Sequence, residues 1–325
     1  MTPFTDKQIE RVTQVGEIGL IQQISNWLGS VSPPAPYGMG DDCAVIESLA
    51  TERQIITVDT VTFAQHFDDS IAPEHVGSKL IKRNLSDIAA MGGTPKHAVL
   101  ALICGADLAM PWLERFFKGV RASCINYDIQ LVGGDISRIS DGNFSAVLTL
   151  TGVVETPKLR SGATIGDHIY VTGSLGGSIL AKHYRFEPRL AEGQWLAQNS
   201  KCTALMDLTD GLNKDLKSLL PANAHAALKL DHIPIANDAR SLAKISGRSA
   251  HEHAFSDGED YELLFTLDAA TDSTLFESKW QAHFQATPLS HIGNIRDDAS
   301  NGHLINARTN TALPWTRGFE HLKAE

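Results

Sequence analysis

The chain has 325 residues, of which 42% are hydrophobic and 20% charged, and its formal net charge is −10. This is the composition of a globular protein of about two domains, and no apolar run approaches the ~20 residues needed to cross a bilayer. The acidic balance, without a block of Lys and Arg, argues against nucleic acid as a partner, because phosphate backbones are bound by basic surfaces.

The chain begins with a polar, charged segment, MTPFTDKQIERVTQVGE, which lacks the apolar core of a signal peptide. We therefore expect a cytoplasmic protein. The cysteines lie far apart with no C-x-x-C pair, which indicates neither a zinc site nor a disulfide framework. We expect them to be small buried residues, and they are Cys43, Cys104, Cys124 and Cys202.

The first half of the chain predicts four strands from its apolar content and alternation. Three of them are residues 53–59 (RQIITVD), 97–104 (HAVLALIC) and 144–155 (FSAVLTLTGVVE). The fourth is predicted at residues 129–135 (IQLVGGD) and should end in a turn at its two glycines.

Two helices are predicted between these strands. The first covers residues 72–93, with Pro73 in its first turn and two glycines at its end, and the second begins at Pro111. Their helical periodicity predicts which side chains are buried. These are Val76, Leu80, Leu85 and Ile88 in the first helix and Trp112, Phe116 and Val120 in the second.

A domain boundary is predicted within residues 155–167 (ETPKLRSGATIGD), where Pro and Gly lie between two strong strand signals. We therefore expect one domain over residues 1–155 and another over 156–325. The second half predicts a strand at 168–173, a glycine-rich turn and helix over 173–182, a strand at 204–211 that opens a helix, and a strand at 261–267. Strands and helices mix in both halves, which indicates an α+β or α/β fold.

Aspartates recur where the apolar segments end or turn, several of them beside glycines. The set is Asp41, Asp42, Asp59, Asp87, Asp135, Asp207 and Asp210. Each one alone is compatible with a plain turn or helix start, where Asp is common. Together they mark strand ends and loops, where sites are assembled, and neighbouring glycines let a ligand approach the backbone. Hard oxygen donors in this number favour Mg²⁺, which usually acts with substrate phosphates.

Asp87 is the strongest member of the set because it lies inside a predicted helix, where it caps nothing. A surface ion pair with Arg83, one turn earlier, is the alternative. Asp41 and Asp42 are adjacent and repel each other, so a cation or strong donors should compensate them. No G-x-x-x-x-G-K-[ST] motif is present, which excludes an ordinary Walker-type phosphate site.

Two further motifs are weaker. The turn at residues 173–177 (GSLGG) can bind an anion through its backbone donors, or it can be purely structural. The His251-Glu252-His253 sequence does not match H-E-x-x-H, in which two histidines lie one helical turn apart. We therefore interpret it as a surface patch.

In chain order, these pieces resemble the thiamine-monophosphate kinase family, within the superfamily of aminoimidazole ribonucleotide synthetase. The resembling segments are GEIGLI (16–21), GMGDDCAV (38–45), TVDT (57–60), QHF (65–67), NLSDIAAMGG (84–93), LVGGD (131–135), RSGATIGDHIYVTG (160–173), DLTDGL (207–212), DGEDYELLF (257–265) and WTRGFEH (315–321). Any one of them is a weak signal, but their order and spacing over most of the chain are specific.

The resemblance implies an α+β fold with an N-terminal domain that dimerises through its sheet, a C-terminal α+β domain, and an ATP cleft between them. The implied activity is ATP-dependent phosphorylation of thiamine monophosphate to thiamine diphosphate, assisted by several Mg²⁺ ions. The partners implied are ATP, thiamine monophosphate and a second copy of the chain.

The resemblance also assigns roles to residues. The implied Mg²⁺ ligands are Asp42, Thr57, Asp59, Asp87, Asp135, Asp207 and Asp210. The implied nucleotide contacts are Gly134, Asp135, Arg160 and Thr209. The implied contacts to thiamine monophosphate are His66, Glu259 and Phe319, and Trp315 is a further candidate because the substrate's cationic and aromatic rings favour aromatic faces. By residue type alone, His66 suits a structural role equally well, Glu259 a turn, and the two aromatic residues C-terminal packing.

The chain departs from the family pattern at a few positions. Val58 stands where a hydroxyl residue is usual beside Asp59, so one oxygen ligand or nucleotide contact would be missing. Thr209 replaces Ser and keeps the hydroxyl, whereas Asp257 replaces Gly and adds charge near the implied substrate contact Glu259. The segment 178–188 is also shorter than is usual in the family.

Two other functions stay open from the sequence. One is a divergent relative that uses ATP to activate another small substrate, although a selenophosphate synthetase is disfavoured because the first cysteine is Cys43 and the N-terminal cysteine loop is missing. The other is a nucleotide-binding protein impaired in catalysis, which Val58 and the shortened segment favour. The intact set of aspartates opposes this second alternative.

Overall fold

The structure, a computed structural model, describes residues 2–33, 53–297 and 302–315. Four residues named above, Asp41, Asp42, Cys43 and Phe319, lie outside these ranges. The chain divides into two compact units, Met1–Ile88 with Gly93–Glu155 and Ala89–Gly92 with Thr156–Glu325. Strands and helices mix in both, so the predicted α+β class is confirmed.

Up to residue 155, the described part of the chain forms a four-stranded sheet and three α-helices. Their bounds are α1 Gly16–Leu28, β1 Arg53–Thr62, α2 Pro73–Ala90, β2 Thr94–Cys104, α3 Met110–Asn126, β3 Gln130–Arg138 and β4 Phe144–Val154. The strand order is β1-β4-β2-β3, and only the pair β2 and β3 is parallel.

The core of this first unit follows the predicted periodicities. Buried and half-buried residues alternate along β4, as a strand with one face against helices requires. Phe144 at its start contacts Trp112 and Phe116 of α3, with ring centroids 4.9 and 5.5 Å apart. The predicted stripe of α2 and the predicted inward side chains of α3 are all buried, so both helix predictions are confirmed.

The glycine turn expected at the end of β3 is wrong, because the strand continues through Gly133 and Gly134 to Arg138. A Cβ atom at Gly134 would lie 1.9 Å from the carbonyl oxygen of Leu100 in β2. The pairing of these strands shifts register at Ala98 and Val99. Gly134 is therefore required for close strand approach beside a bulge, not for a turn.

The described part after residue 155 contains a six-stranded sheet and six α-helices. Their bounds are β5 His168–Thr172, α4 Lys182–Arg185, α5 Leu190–Gln198, β6 Cys202–Asp207, α6 Leu212–Leu219, β7 Ala224–Leu228, α7 Asn237–Ser246, α8 Ala250–Ser256, β8 Leu263–Leu267, α9 Ser273–His283, β9 Leu289–Asp297 and β10 Leu304–Asn306. The strand order is β10-β7-β9-β5-β8-β6, and only β10 and β7 pair in parallel.

Both faces of this sheet are covered, which explains the continuous apolar runs in its strands. Along β5, Ile169 and Val171 belong to a core with α6 and α8, whereas Tyr170 belongs to a second core with α5 and α9. The second unit is thus a helix–sheet–helix sandwich.

The helix expected over residues 173–182 is wrong. Gly176 and Gly177 have positive φ angles of 84° and 76°, and a Cβ atom at either would lie within 3 Å of the backbone of α8 or α7. These residues form a tight turn, which is followed by a 3-10 turn at Ser178–Leu180 and the single-turn helix α4. Among the helices of the described ranges, none has the length and apolarity that a membrane crossing requires.

Candidate active site

In the first unit, β1 and α2 bring three of the predicted metal ligands to one face of the sheet. Thr57 donates a hydrogen bond from its hydroxyl to the carboxylate of Asp87. Asp59, two residues along the same face, forms an ion pair with Arg83 at 3.0 Å. Arg83 also donates to the carbonyl of Thr60 at 2.7 Å. The helix thus directs Arg83 to Asp59 of β1, and the oxygens of Thr57 and Asp87 meet beside this pair.

Val58 lies on the opposite face of β1 from these ligands. Side chains alternate along a strand, and Val58 is 59% exposed beside Ile56, which is 71% exposed. A hydroxyl at position 58 would therefore point away from Thr57 and Asp59. The departure from the family pattern removes no side-chain ligand from their face.

Asp135 and Gly134 lie on β3, at the other edge of the same sheet. The cross-strand register aligns Asp59 with Leu148, Leu148 with Leu100, and Leu100 with Gly134. Three strand spacings of ~4.8 Å separate the ends of this row, which is ~14 Å. Asp135 is exposed and accepts a hydrogen bond from the hydroxyl of Ser137 at 2.7 Å.

His66 follows β1 and is almost fully buried. Its Nδ1 accepts the backbone N–H of Thr62 at 3.1 Å, which assigns the ring proton of a neutral imidazole to Nε2. Its carbonyl accepts a hydrogen bond from the buried ammonium of Lys79 at 2.9 Å. The backbone N–H of Thr62 thus orients the ring, and Lys79 holds the backbone of His66.

In the second unit, Asp207 ends β6, and the loop that follows carries Thr209 and Asp210. The N–H groups of Thr209 and Asp210 both donate to the same carboxylate oxygen of Asp215, each at 2.9 Å. Asp210 in turn forms an ion pair with Lys214 at 2.6 Å. Asp215 was not among the predicted site residues, although it lies five residues beyond Asp210 in the first turn of α6.

Asp215 is a buried carboxyl group that holds the loop of Thr209 and Asp210. Burial, opposed by the two backbone N–H bonds and the charge of Arg160, raises the pKa of Asp215 to about 7. Arg160, a predicted nucleotide contact, is thus the positive charge that acts on the pKa of Asp215. Asp215, which the motifs did not indicate, therefore fixes the position of the loop of Thr209 and Asp210.

Glu259 lies directly beside this loop. Its N–H donates to the carbonyl of Thr209 at 2.8 Å, and the N–H of Tyr261 donates to the carbonyl of Leu208 at 2.8 Å. Glu259 and Tyr261 both have positive φ angles, 51° and 50°. These hydrogen bonds thus hold Glu259 and Tyr261 in a strained backbone conformation. They also connect Glu259, a predicted substrate contact, to Thr209, a predicted nucleotide contact.

In the glycine-rich turn, two backbone N–H groups donate to carboxylates of the protein itself. Gly176 donates to Asp260 at 2.9 Å, and Gly177 donates to Asp257 at 2.9 Å. Lys182 donates to the carbonyl of Ser174 at 2.5 Å. This turn was predicted either to bind an anion or to be purely structural, and the contacts agree with the structural interpretation. The carboxylate of Asp257 accepts the N–H of Gly177 and forms an ion pair with Arg248 at 3.2 Å.

We expect Asp260 to make the protein less stable as the pH rises from about 4 to about 7. Burial, opposed by the charge of Lys182 and the N–H of Gly176, raises the pKa of Asp260 from 3.8 to about 7. Between these values the folded chain keeps a proton that the unfolded chain has lost, so the free energy of unfolding falls by at most ~1.4 kcal/mol per pH unit. Urea unfolding across this range measures the slope. Asp260→Asn should lack this contribution, and identical slopes in both proteins would contradict it.

The interpretation of residues 251–253 as a surface patch is wrong for His253. This side chain is buried, with Nδ1 2.9 Å from Asp257 and Nε2 2.8 Å from the hydroxyl of Ser246. The contacts join the end of α7 to α8. His251 stacks on Trp315 at 5.5 Å, and Trp315 also packs on Phe255 at 4.7 Å. Trp315 is thus placed against the core of the second unit.

Within residues 2–33, 53–297 and 302–315, no group of three or more His, Cys, Asp or Glu side chains is arranged to hold a metal ion. The predicted ligand Asp42 lies outside these ranges. The donors that are described, carboxylate and hydroxyl oxygens, match the chemistry that Mg²⁺ prefers. A pocket of about 420 Å³ lies beside the glycine-rich turn and α4, and none of the predicted site residues lines it.

Comparisons with known proteins agree with these motifs. Residues 40–154 match the family described as AIR synthase related protein, N-terminal domain. The thiamine-monophosphate kinase of Rhodopirellula baltica is 35% identical over 272 residues, covering 81% of this chain and 84% of that protein. The thiamine-monophosphate kinase of Salmonella typhimurium is 31% identical over 330 residues, covering 94% of this chain and 98% of that protein.

A solved structure gives the same result for the fold. AaThiL complexed with AMPPCP and TMP superposes with a TM-score of 0.72 and 28% identity, covering 96% of this chain and 99% of that one. The similarity in both sequence and fold therefore extends over nearly the whole chain.

Proposed function

Since this chain belongs to the thiamine-monophosphate kinase family, we propose that it transfers the γ-phosphoryl group of ATP to thiamine monophosphate and produces thiamine diphosphate and ADP. What carries the proposal is the likeness to thiamine-monophosphate kinases along nearly the whole chain, with the motifs in the same order. AMPPCP is a nonhydrolysable relative of ATP, so the similar structure that binds it and TMP supports both substrates.

The reaction requires little acid–base chemistry from the protein. A phosphate monoester carries about −1.5 to −2 charges at neutral pH, so the attacking oxygen of the acceptor is already ionised. The main obstacle is repulsion, because two unit charges 4 Å apart repel by about 4 kcal/mol at an effective dielectric constant of ~20. The protein must therefore bring two polyanions together and align them.

We propose that Mg²⁺ is held by carboxylates and a hydroxyl of this chain. The proposed ligands are Asp42, Thr57, Asp59, Asp87, Asp135, Asp207 and Asp210. When bound, Mg²⁺ would neutralise phosphate charge and orient the transferred group. The role of Arg83 is to hold the carboxylate of Asp59, and that of Asp215 is to hold the loop of Thr209 and Asp210.

Gly134, Asp135, Arg160 and Thr209 are the proposed nucleotide contacts, and His66, Glu259, Phe319 and Trp315 the proposed contacts to thiamine monophosphate. Incubation with ATP, Mg²⁺ and thiamine monophosphate tests the activity by the appearance of thiamine diphosphate and ADP. Nucleotide binding without turnover of any thiamine species would instead support an impaired nucleotide-binding protein.

The proposed homodimer has a geometric basis in the first sheet. Within the described residues, β1 and β3 are its two edge strands, and they carry Asp59 and Asp135. Both are proposed ligands of the Mg²⁺ ions of one site, whereas they lie ~14 Å apart across one sheet. Pairing the β1 edge of one copy with the β3 edge of another would bring them together and would cover both edges.

Mixing two inactive variants tests this arrangement. If Asp59 and Asp135 of different copies share a site, a dimer of one Asp59→Asn chain and one Asp135→Asn chain contains one site with both native residues. Random exchange should then restore about a quarter of the wild-type activity. If each site belongs to one chain, the mixture stays as inactive as its components. Light scattering measures the oligomeric state directly.

We expect Val58→Thr to leave kcat and both KM values within about twofold of the wild type. The side chain lies on the face of β1 opposite Thr57 and Asp59, so the added hydroxyl would not reach the proposed ligands. Steady-state kinetics with ATP and thiamine monophosphate measure the effect. A tenfold gain in kcat would mean that the missing hydroxyl had limited catalysis.

A further inference from the structure

The short helix α4 supports Glu259, although it belongs to the segment that is shorter than is usual in the family. His183 in α4 is buried, and its Nδ1 lies 3.6 Å from Oε2 of Glu259. Tyr261 donates from its hydroxyl to Oε1 of the same carboxylate at 3.0 Å. His183 therefore lies beside one carboxylate oxygen of Glu259, and Tyr261 binds the other.

Both supporting side chains are themselves fixed by packing. The ring of Tyr261 stacks on Phe186, the residue that follows α4, with centroids 3.8 Å apart and planes inclined by 16°. The ring of His183 meets that of Tyr184 edge-on at 4.9 Å. Side chains held in this way lose little further freedom when a ligand binds, so they can orient a third group at low cost.

Glu259 remains accessible despite these contacts. Its side chain is 29% exposed, and its backbone is held at a positive φ angle by the bond from its N–H to the carbonyl of Thr209. A carboxylate has about four acceptor positions, so it can bind a ligand while it keeps both supports. The arrangement is that of an oriented acceptor at an accessible position.

We propose that His183 and Tyr261 are positioning residues that orient the Glu259 carboxylate toward the cationic, amine-bearing ring end of thiamine monophosphate. This inference rests on the proposed function. It assigns to the shortened segment a role in selecting the acceptor substrate, separate from the phosphate chemistry. The loss of either support should weaken binding of thiamine monophosphate and should leave ATP binding and the chemical step unaffected.

Kinetics of Tyr261→Phe and His183→Asn test the inference. Tyr261→Phe keeps the stacked ring and removes only the hydroxyl, so it should fold even if the buried His183 variant does not. We expect KM for thiamine monophosphate to rise about tenfold, or ~1.4 kcal/mol, with kcat and KM for ATP within about twofold. Tyr170→Phe removes a hydroxyl that donates to a different carboxylate, that of Glu277, at 2.9 Å, and is the matched control, with unchanged kinetics.

A double-mutant cycle separates positioning from a merely structural role. Combined with Glu259→Ala, Tyr261→Phe should raise KM for thiamine monophosphate no further, because the hydroxyl acts through the carboxylate. Wild-type turnover with an unchanged KM in both variants, or a full additional loss in the Glu259→Ala background, would overturn the inference alone. A folded wild-type protein that neither binds nor phosphorylates thiamine monophosphate would overturn the proposed function and the inference with it.

Discussion

Asp87→Asn is expected to lower kcat at least about a thousandfold, which corresponds to ~4 kcal/mol of lost transition-state stabilisation. Asp87 meets the hydroxyl of Thr57 beside the pair of Asp59 and Arg83, so the substitution removes one negative charge from the proposed Mg²⁺ ligands. The thermal midpoint should change little, because the amide oxygen of Asn can still accept the hydrogen bond from Thr57. Turnover assays and thermal unfolding measure the two effects separately.

The matched control for this substitution is Asp128→Asn. Asp128 is exposed and has a φ angle of 53°, a conformation that Asn adopts readily, so activity and stability should both stay at wild-type values. A near-normal kcat in Asp87→Asn would remove Asp87 from the proposed ligands. A large loss of stability would show that its carboxylate has a mainly structural role.

Arg189→Met is expected to lower the free energy of unfolding by about 3 kcal/mol. Arg189 makes two hydrogen bonds to the carboxylate of buried Glu262, at 2.7 and 2.9 Å. Burial alone would raise the pKa of Glu262, but the charges of Lys182 and Arg189 lower it below its ordinary value. Without Arg189, Glu262 keeps only part of the compensation for its buried charge, and urea unfolding at neutral pH measures the loss.

Two further variants test this explanation. The double variant Arg189→Met/Glu262→Met removes both charges and should recover much of the lost stability. Lys118→Met breaks an exposed pair with Glu114, which has a similar N–O distance of 2.9 Å, and it should cost less than ~1 kcal/mol. Equal losses in the buried and the exposed pair would contradict the role assigned to burial.

Periodicity predicted the elements whose packing follows their own pattern. The helix with the stripe from Val76 to Ile88 and the alternating strand β4 each bury one face, so sequence spacing contained the necessary information. Sequence spacing was insufficient where backbone from a distant part of the chain determined the local structure. Gly134 lies inside a strand because β2 approaches it closely, and Gly176 is in a turn because α8 occupies the space that a side chain would need.

The candidate site shows the same limit. Motif resemblance selected acidic residues such as Asp59, but the side chains that hold them come from other elements. Arg83 reaches Asp59 from α2, and His183 reaches Glu259 from α4. Their residue types are ordinary for helices, so no local signal separates them from surface charges. Only tertiary contacts identify them.

The clamped glycine turn has a consequence for local motion. Gly176 and Gly177 lie in a segment without regular secondary structure, yet their N–H groups point into carboxylates of Asp260 and Asp257 that are shielded from water. Each of these amides can meet solvent deuterium only when its own carboxylate releases it. The amides of Gly176 and Gly177 should therefore exchange as slowly as those of a central strand. This protection is expected although the glycine content of the loop would suggest flexibility.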